Sequence, residues 1–363
     1  MMTVRVLAMA AVAAVAAGCA GGSRAPVSPG SAGGGPFAPL SLTSRAAPQA
    51  RQSAAMAYYP PEREVVLFGG ETPYRHGFER ALGDTWVFNE HGWRRLHPRH
   101  SPPPRDGGLL AYDSATRRLL LFGGSSSRGR YSRVLFDSWA WNGTDWTRLR
   151  PVRLPTWMGG APIAAYDPVA GRITELAPRP GYPGSFPLKA TFNGNGGPLG
   201  RWLWTGRSWS YHAENPAPPM DGGALAPDPL SGGMLYFDYT PDTVDDHPPP
   251  DPTGTRNSQT WLWHDGHFTR QSPPRAPHPG GLVLMAGDAR IGRVVMIDTA
   301  GRLWAWAGKT WSPLASGRGP GAGAAAVYDP ALGDLIVFGP VTRTGTPTRQ
   351  TWLWNGTRWI IGP

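Results

Sequence analysis

One aromatic spacing recurs six times along this chain of 363 residues. It consists of an aromatic, one residue, a second aromatic, four residues and a third aromatic. The copies are Trp86/Phe88/Trp93, Trp139/Trp141/Trp146, Trp202/Trp204/Trp209, Trp261/Trp263/Phe268, Trp304/Trp306/Trp311 and Trp352/Trp354/Trp359. Sixteen of the seventeen tryptophans obey it, and only Trp157 stands outside. Copies lie between 43 residues (Trp261 to Trp304) and 63 residues (Trp139 to Trp202) apart, yet the inner spacing never changes. A pattern fixed inside and variable between copies marks a repeated structural unit with loops of free length.

The second copy shows what one unit contains. Residues 107–124 read GGLLAYDSATRRLLLFGG, and 137–149 read DSWAWNGTDWTRL. Two short apolar runs flank the turn residues DSATR, and the second run stops at Gly123 and Gly124. The SWAW stretch alternates with period two, which puts Trp139 and Trp141 on one side of a strand. NGTD supplies hairpin chemistry, because Asn and Gly tolerate positive φ. A fourth strand opens at Trp146. No stretch of this unit keeps a helical period, so the expected unit is a four-stranded antiparallel sheet. The hairpin between strands three and four carries a glycine in every copy: Gly92, Gly143, Gly206, Gly266, Gly308 and Gly356.

One such sheet has two apolar faces and cannot cover them alone. Radial stacking covers each face with a neighbouring sheet, so the expected fold is all-β: a six-bladed β-propeller of four-stranded antiparallel blades. The aromatic triads then form the packing between blades. The segment Pro39 to Arg51 resembles Trp93 to Arg105 and is a candidate surplus outer strand for closing the ring. Which segment supplies that outer strand stays open at this point.

LFGG at Leu67 to Gly70 and Leu121 to Gly124, followed by DTWVF at Asp84 to Phe88 and DSWAW at Asp137 to Trp141, resembles the kelch-repeat β-propellers. AYD at Ala111 to Asp113, AAYD at Ala164 to Asp167 and AVYD at Ala326 to Asp329 fit the same family. The resemblance covers residues 43–363. Copies three to five lack the double glycine, and copy six has Gly339-Pro340 in its place. Some propellers of this superfamily, the galactose-oxidase-like group, are copper oxidases that use a tyrosine cross-linked to a cysteine. The one cysteine here, Cys19, lies far outside the repeats and cannot serve that role.

The N-terminus reads MMTVRVLAMAAVAAVAAGCAGG. Arg5 gives a positive start, and Val6 to Ala17 is apolar but shorter than the roughly twenty residues a membrane span needs. Ala16-Ala17-Gly18 before Cys19 resembles a bacterial lipobox, with Ala16 in place of the more usual leucine. That reading divides the chain into a signal peptide (1–19), a Gly/Ser/Pro/Ala-rich tether (20–37) and the propeller (38–363). It implies an extracytoplasmic protein lipid-anchored through Cys19 to a bacterial membrane. Ala20 after the cysteine favours the outer membrane or cell surface. An ordinary cleaved signal or an uncleaved anchor are the alternatives.

Formal charge is +10, and 33 of the 35 basic residues are arginine. The arginines are spread along the repeats, with no concentrated stripe of the kind a nucleic-acid surface needs. Attraction to anionic surfaces or polysaccharide is the better reading.

Topology directs attention to one face. In an up-and-down blade, the loops from strand two to three and from strand four to the next blade emerge together. The two–three loops are long in copies one to four: Glu71 to Gly83, Ser125 to Phe136, Arg179 to Gly200 and Thr240 to Ser258. In copy five the loop shrinks to Ala300-Gly301-Arg302. Loops that long are usually functional or disordered. Candidate ligand contacts on this face are Tyr74, His76, Arg130, Tyr131, Trp157 and Tyr182. Trp157 serves as an aromatic platform or packs across a blade junction, and the others are contacts or solvated loop residues. Asp242, Asp245, Asp246 and His247 sit in one acidic, Pro-rich loop whose oxygen ligands suit Ca²⁺, although the spacing is not that of an EF-hand and a solvated loop is the alternative.

No cofactor is expected otherwise. The nine histidines are scattered, and no GxSxG, HExxH or P-loop occurs. The aspartates closing the first strands (Asp113, Asp167, Asp228, Asp288 and Asp329) recur with the repeat, which makes them turn formers before catalysts. The sequence thus favours a surface-tethered, non-catalytic module that binds glycan or protein. A glycan-active secreted enzyme with a site on the loop face and a structural envelope component are the alternatives.

Overall fold

The computed structural model describes residues 47–72, 80–128, 131–155, 163–178, 199–214, 223–239, 258–277, 283–298, 300–314, 325–340 and 348–362, with isolated residues 216, 218, 279, 319 and 320. The first blade comprises β1 (Ala55–Tyr59), β2 (Glu64–Phe68), β3 (Thr85–Asn89) and β4 (Gly92–Leu96). The second has β5 (Leu109–Asp113) and β6 (Arg118–Phe122). An inserted hairpin, β7 (Ser125–Arg128) and β8 (Tyr131–Val134), precedes its outer strands β9 (Ser138–Trp141) and β10 (Trp146–Leu149). Blade three is β11 (Ile163–Asp167), β12 (Arg172–Pro178), β13 (Leu199–Trp204) and β14 (Trp209–Ala213). Blade four is β15 (Ala224–Pro227), β16 (Met234–Tyr239), β17 (Ser258–His264) and β18 (His267–Gln271). Blade five is β19 (Leu284–Asp288), β20 (Arg293–Ile297), β21 (Leu303–Trp306) and β22 (Trp311–Pro313). Blade six is β23 (Ala325–Asp329), β24 (Asp334–Phe338), β25 (Thr351–Trp354) and β26 (Trp359–Ile361).

Each blade is antiparallel, with strands in chain order from the inside out. The innermost strands touch in sequence and β23 returns to β1, which closes a ring of six sheets. The closing blade takes its outer strand from β26, so every blade is one contiguous stretch of chain. Pro39 to Ala46 of the candidate surplus strand lie outside the described residues. The rest of that segment serves the first blade: Arg51 is fully buried, and Ala47 packs against the core shared by blades one, five and six.

Burial falls from the axis outward. The five residues of β1 are all buried, as are those of β5, β11, β19 and β23, because sheets press on both sides. The outer strands bury little beyond their aromatic: β10 keeps Trp146 buried while Thr147 and Arg148 face solvent. The second aromatic of every triad is buried, from Phe88 at 0 % exposure to Trp263 at 4 %. The third packs on the preceding blade, as Trp146 on Phe68, Trp209 on Phe122, Trp311 on Phe237 and Trp93 on Phe338. All six hairpin glycines have positive φ, between 82° and 100°, as that turn requires.

Candidate functional site

The two rims of the ring differ. On one rim the strand one–two turns and the strand three–four hairpins are short. The recurring aspartates each spend at least one oxygen there: Asp113 on Ala115 N and Thr116, and the Oδ1 atoms of Asp167 on Val169 N and Ala170 N, of Asp288 on Arg290 N and Ile291 N and of Asp329 on Ala331 N and Leu332 N, while Oδ2 of Asp167 and Asp329 is buried without a hydrogen-bond partner. Carboxylates committed to turn amides in this way are structural.

The other rim is built up. Over blade two, the expected loop Ser125 to Phe136 is largely the hairpin β7–β8, with Tyr131 opposite Arg128 in the ladder. Over blade one, Glu71 bridges both Gln52 and Ala81, and Gln52 Nε2 donates to Glu71 Oε1 at 2.7 Å. Ala81 N donates to Ser127 O at 3.1 Å, which ties the two structures into one wall. At blade five the wall is missing. There Arg302 Nε and N donate to Asp298 at 2.6 and 2.9 Å, and Gly301 turns the chain at φ 75°.

Two buried arginines carry the wall. Arg51 Nη1 donates to Gly69 O and to Asp84 Oδ1, at 2.8 and 2.7 Å. Arg105 Nη1 donates to Gly123 O at 2.9 Å and pairs with Asp137 Oδ1 at 2.8 Å. Each aspartate also accepts from the first aromatic of its triad, Trp86 or Trp139 Nε1, at 2.7 Å. Burial pushes the Asp84 and Asp137 carboxyls up, but the arginines and indoles outweigh it and hold both below the usual range. The double glycine belongs to this device. A Cβ at Gly69 would fall 2.4 Å from Arg105 O, and one at Gly70 would fall 2.8 Å from Gln52 O. Sequence reasoning recognised LFGG and the Asp-x-Trp but missed the arginine that joins them. The available signal was an Arg 33 or 32 residues before the Asp, present in copies one and two.

Tyr131 opens β8 in the wall. Tyr74, His76, Arg130, Trp157, Tyr182, Asp242, Asp245, Asp246, His247 and Cys19 lie outside the described residues. Among the described residues, no group of three His, Cys, Asp or Glu is arranged to hold a metal. A cavity of about 40 Å³ between blades two and three, lined by Asp113, Thr116 and Trp204, has room for a water or two.

No protein-family model and no curated protein matches the sequence. Among solved structures, the chain is similar to that of YjhT at 14 % identity and a TM-score of 0.56, over 87 % of this chain and 99 % of that one. The fold is a six-bladed β-propeller. A fucose-specific lectin from Aleuria aurantia shares 13 % identity at a TM-score of 0.48, over 87 % of this propeller and 96 % of the lectin. AofleA from Arthrobotrys oligospora shares 11 % at 0.47, over 86 % and 89 %. At these identities the likeness to YjhT is one of fold.

Proposed function

We propose that this kelch-like propeller is a surface lipoprotein, anchored through Cys19 and held off the membrane by residues 20–37, that binds a glycan or a protein without catalysis. The observation that carries the reading is the contrast between the rims. One has tight turns in every blade. The other carries, over blades one and two, a wall tied together by Ala81 and Ser127 and mounted on buried arginines, and at blade five only a tight turn at Asp298–Arg302. A hydrogen-bonded wall standing on one part of the rim offers a partner a preorganised edge, which lowers the entropic cost of binding. The non-catalytic part of the reading is supported by the recurring aspartates, each of which commits its Oδ1 to turn amides.

A glycan array run with the purified protein tests the reading, with Trp157→Ala as the diagnostic variant. A specific hit lost in that variant, with thermal stability retained, supports it. Deleting within residues 179–198 or 240–257 should leave the ring folded, because β12, β13, β16 and β17 stay whole, and should abolish the hit. Contacts mapping instead to the hairpins around Gly143, Gly206 and Gly356 would overturn it.

A further inference from the structure

The short-turn rim has its own chemistry. Exposed cations stand on it in five of the six blades: Arg63 in blade one, Arg117 in two, Arg172 and Arg207 in three, Arg290 in five and Arg358 in six. The carboxylates nearby are largely withdrawn, because the recurring aspartates are buried within their turns. Glu62, Glu90 and Asp265 are the exposed acids of these turns and hairpins among the described residues.

Two further features set this rim apart. Blades three to six turn the chain with a glycine at positive φ: Gly171, Gly232, Gly292 and Gly333. Blades one and two put an arginine in that left-handed conformation, Arg63 and Arg117, both at φ 55°. A non-glycine residue is disfavoured there, so the two arginines stand at a conformational cost that glycine would avoid. In blades three and four the turn tips are apolar: Val169 is 68 % exposed and Leu230 is 57 % exposed.

We propose that this rim docks on an anionic lipid bilayer. The arginines meet the headgroup phosphates, and Val169 and Leu230 enter the boundary between headgroups and acyl chains. Cations spread around a ring match a planar field of charge, whereas a linear polyanion calls for a continuous stripe or groove. Exposed apolar tips beside cations are what an interfacial surface uses. Docked this way, the wall points away from the membrane. The inference rests on the short-turn rim alone and does not depend on what the wall binds.

Co-sedimentation with vesicles tests it. The whole ring lies within residues 47–362, so residues 20–363 without an acyl group isolate the contribution of the rim. This protein should bind vesicles of phosphatidylcholine with phosphatidylglycerol, release with salt, and ignore phosphatidylcholine alone. The Arg117→Gln/Arg172→Gln variant should bind about 25-fold more weakly, at about fivefold per charge. Val169→Asn/Leu230→Asn should weaken binding about tenfold. Arg95→Gln/Arg270→Gln removes the same charge from exposed positions on outer strands β4 and β18 and should bind like the parent. Equal loss in that control overturns the proposal, as does equal binding to phosphatidylcholine alone. So does failure to bind either vesicle while retaining soluble alginate, which would assign the rim to a polysaccharide.

Discussion

The seam between blades one and two and the seam between blades two and three are built to one plan, with different polar contents. In the first, Trp146 packs on Phe68 with ring centroids 5.2 Å apart, and its Nε1 donates to Thr85 Oγ1 at 3.0 Å. In the second, Trp209 packs on Phe122 at 5.5 Å, but its Nε1 is buried without a partner, and so is Ser138 Oγ, the counterpart of Thr85. The β2-type strands differ more sharply. The residue opposite the first aromatic, facing the preceding blade, is Leu67, Leu121, Tyr236, Met296 or Val337 in five blades. In blade three it is Glu175, opposite Trp202. Glu175 is 1 % exposed, its Oε2 has no partner, and burial pushes its carboxyl up to about 8. A repeat architecture tolerates such an exception because each seam depends mainly on its two neighbours.

The seam between blades three and four departs in another way. Phe268 stands where a tryptophan would, and Arg201 replaces the threonine. Its guanidinium lies 3.4 Å from the Trp263 ring centroid, and its Nε donates to Glu214 at 2.7 Å. An ion pair and a cation–π contact take the place of an indole–hydroxyl hydrogen bond.

The largest expected effect tests whether the indoles hold the seams. Trp146→Ala should cost about 3–5 kcal/mol in urea denaturation. A loss below about 1 kcal/mol would break the account of both seams. Next comes pH. The folded pKa of Glu175 lies above its unfolded value, so between about 4.5 and 8 the folded state binds more protons. Stability should therefore fall as pH rises through that window, by on the order of 5 kcal/mol, and level off above it. Glu175→Leu should flatten this part of the profile and be the more stable protein at pH 8; an unchanged slope would show that the carboxyl is not held neutral. The smallest effect sharpens the comparison. Thr85→Val should cost about 1–2 kcal/mol by stranding Trp146 Nε1, whereas Ser138→Val should cost nothing, because no hydrogen bond is lost. Equal costs at the two positions would erase the distinction.

The blades were legible because their grammar is local. A hairpin glycine, an alternating pair of tryptophans and a terminal turn aspartate each act within about ten residues, and the structure places all three as their chemistry requires. The rims were legible by topology, since an antiparallel blade fixes which loops share a face. The hairpin β7–β8 was not, because SSSRGRYSRV has little apolar periodicity. It gains its register from Asp106 and Gly124, which bond Ser125 and Leu135. Of the candidate ligand contacts, Tyr131 is the one within the described residues.

By itself, the sequence determined that six sheets of four strands must stack face to face, since no sheet with aromatics on its flank can stand alone in water. What meets across the seams is set only when the ring closes. Trp93 finds Thr351 at a separation of 258 residues, and Arg51 finds Asp84. Glu175 is left alone in a hydrocarbon setting that its neighbours in the chain do not announce. The physical reason is range. Turn chemistry and strand alternation act between residues close in the chain, whereas burial and hydrogen-bond satisfaction depend on which surfaces the closed ring presses together.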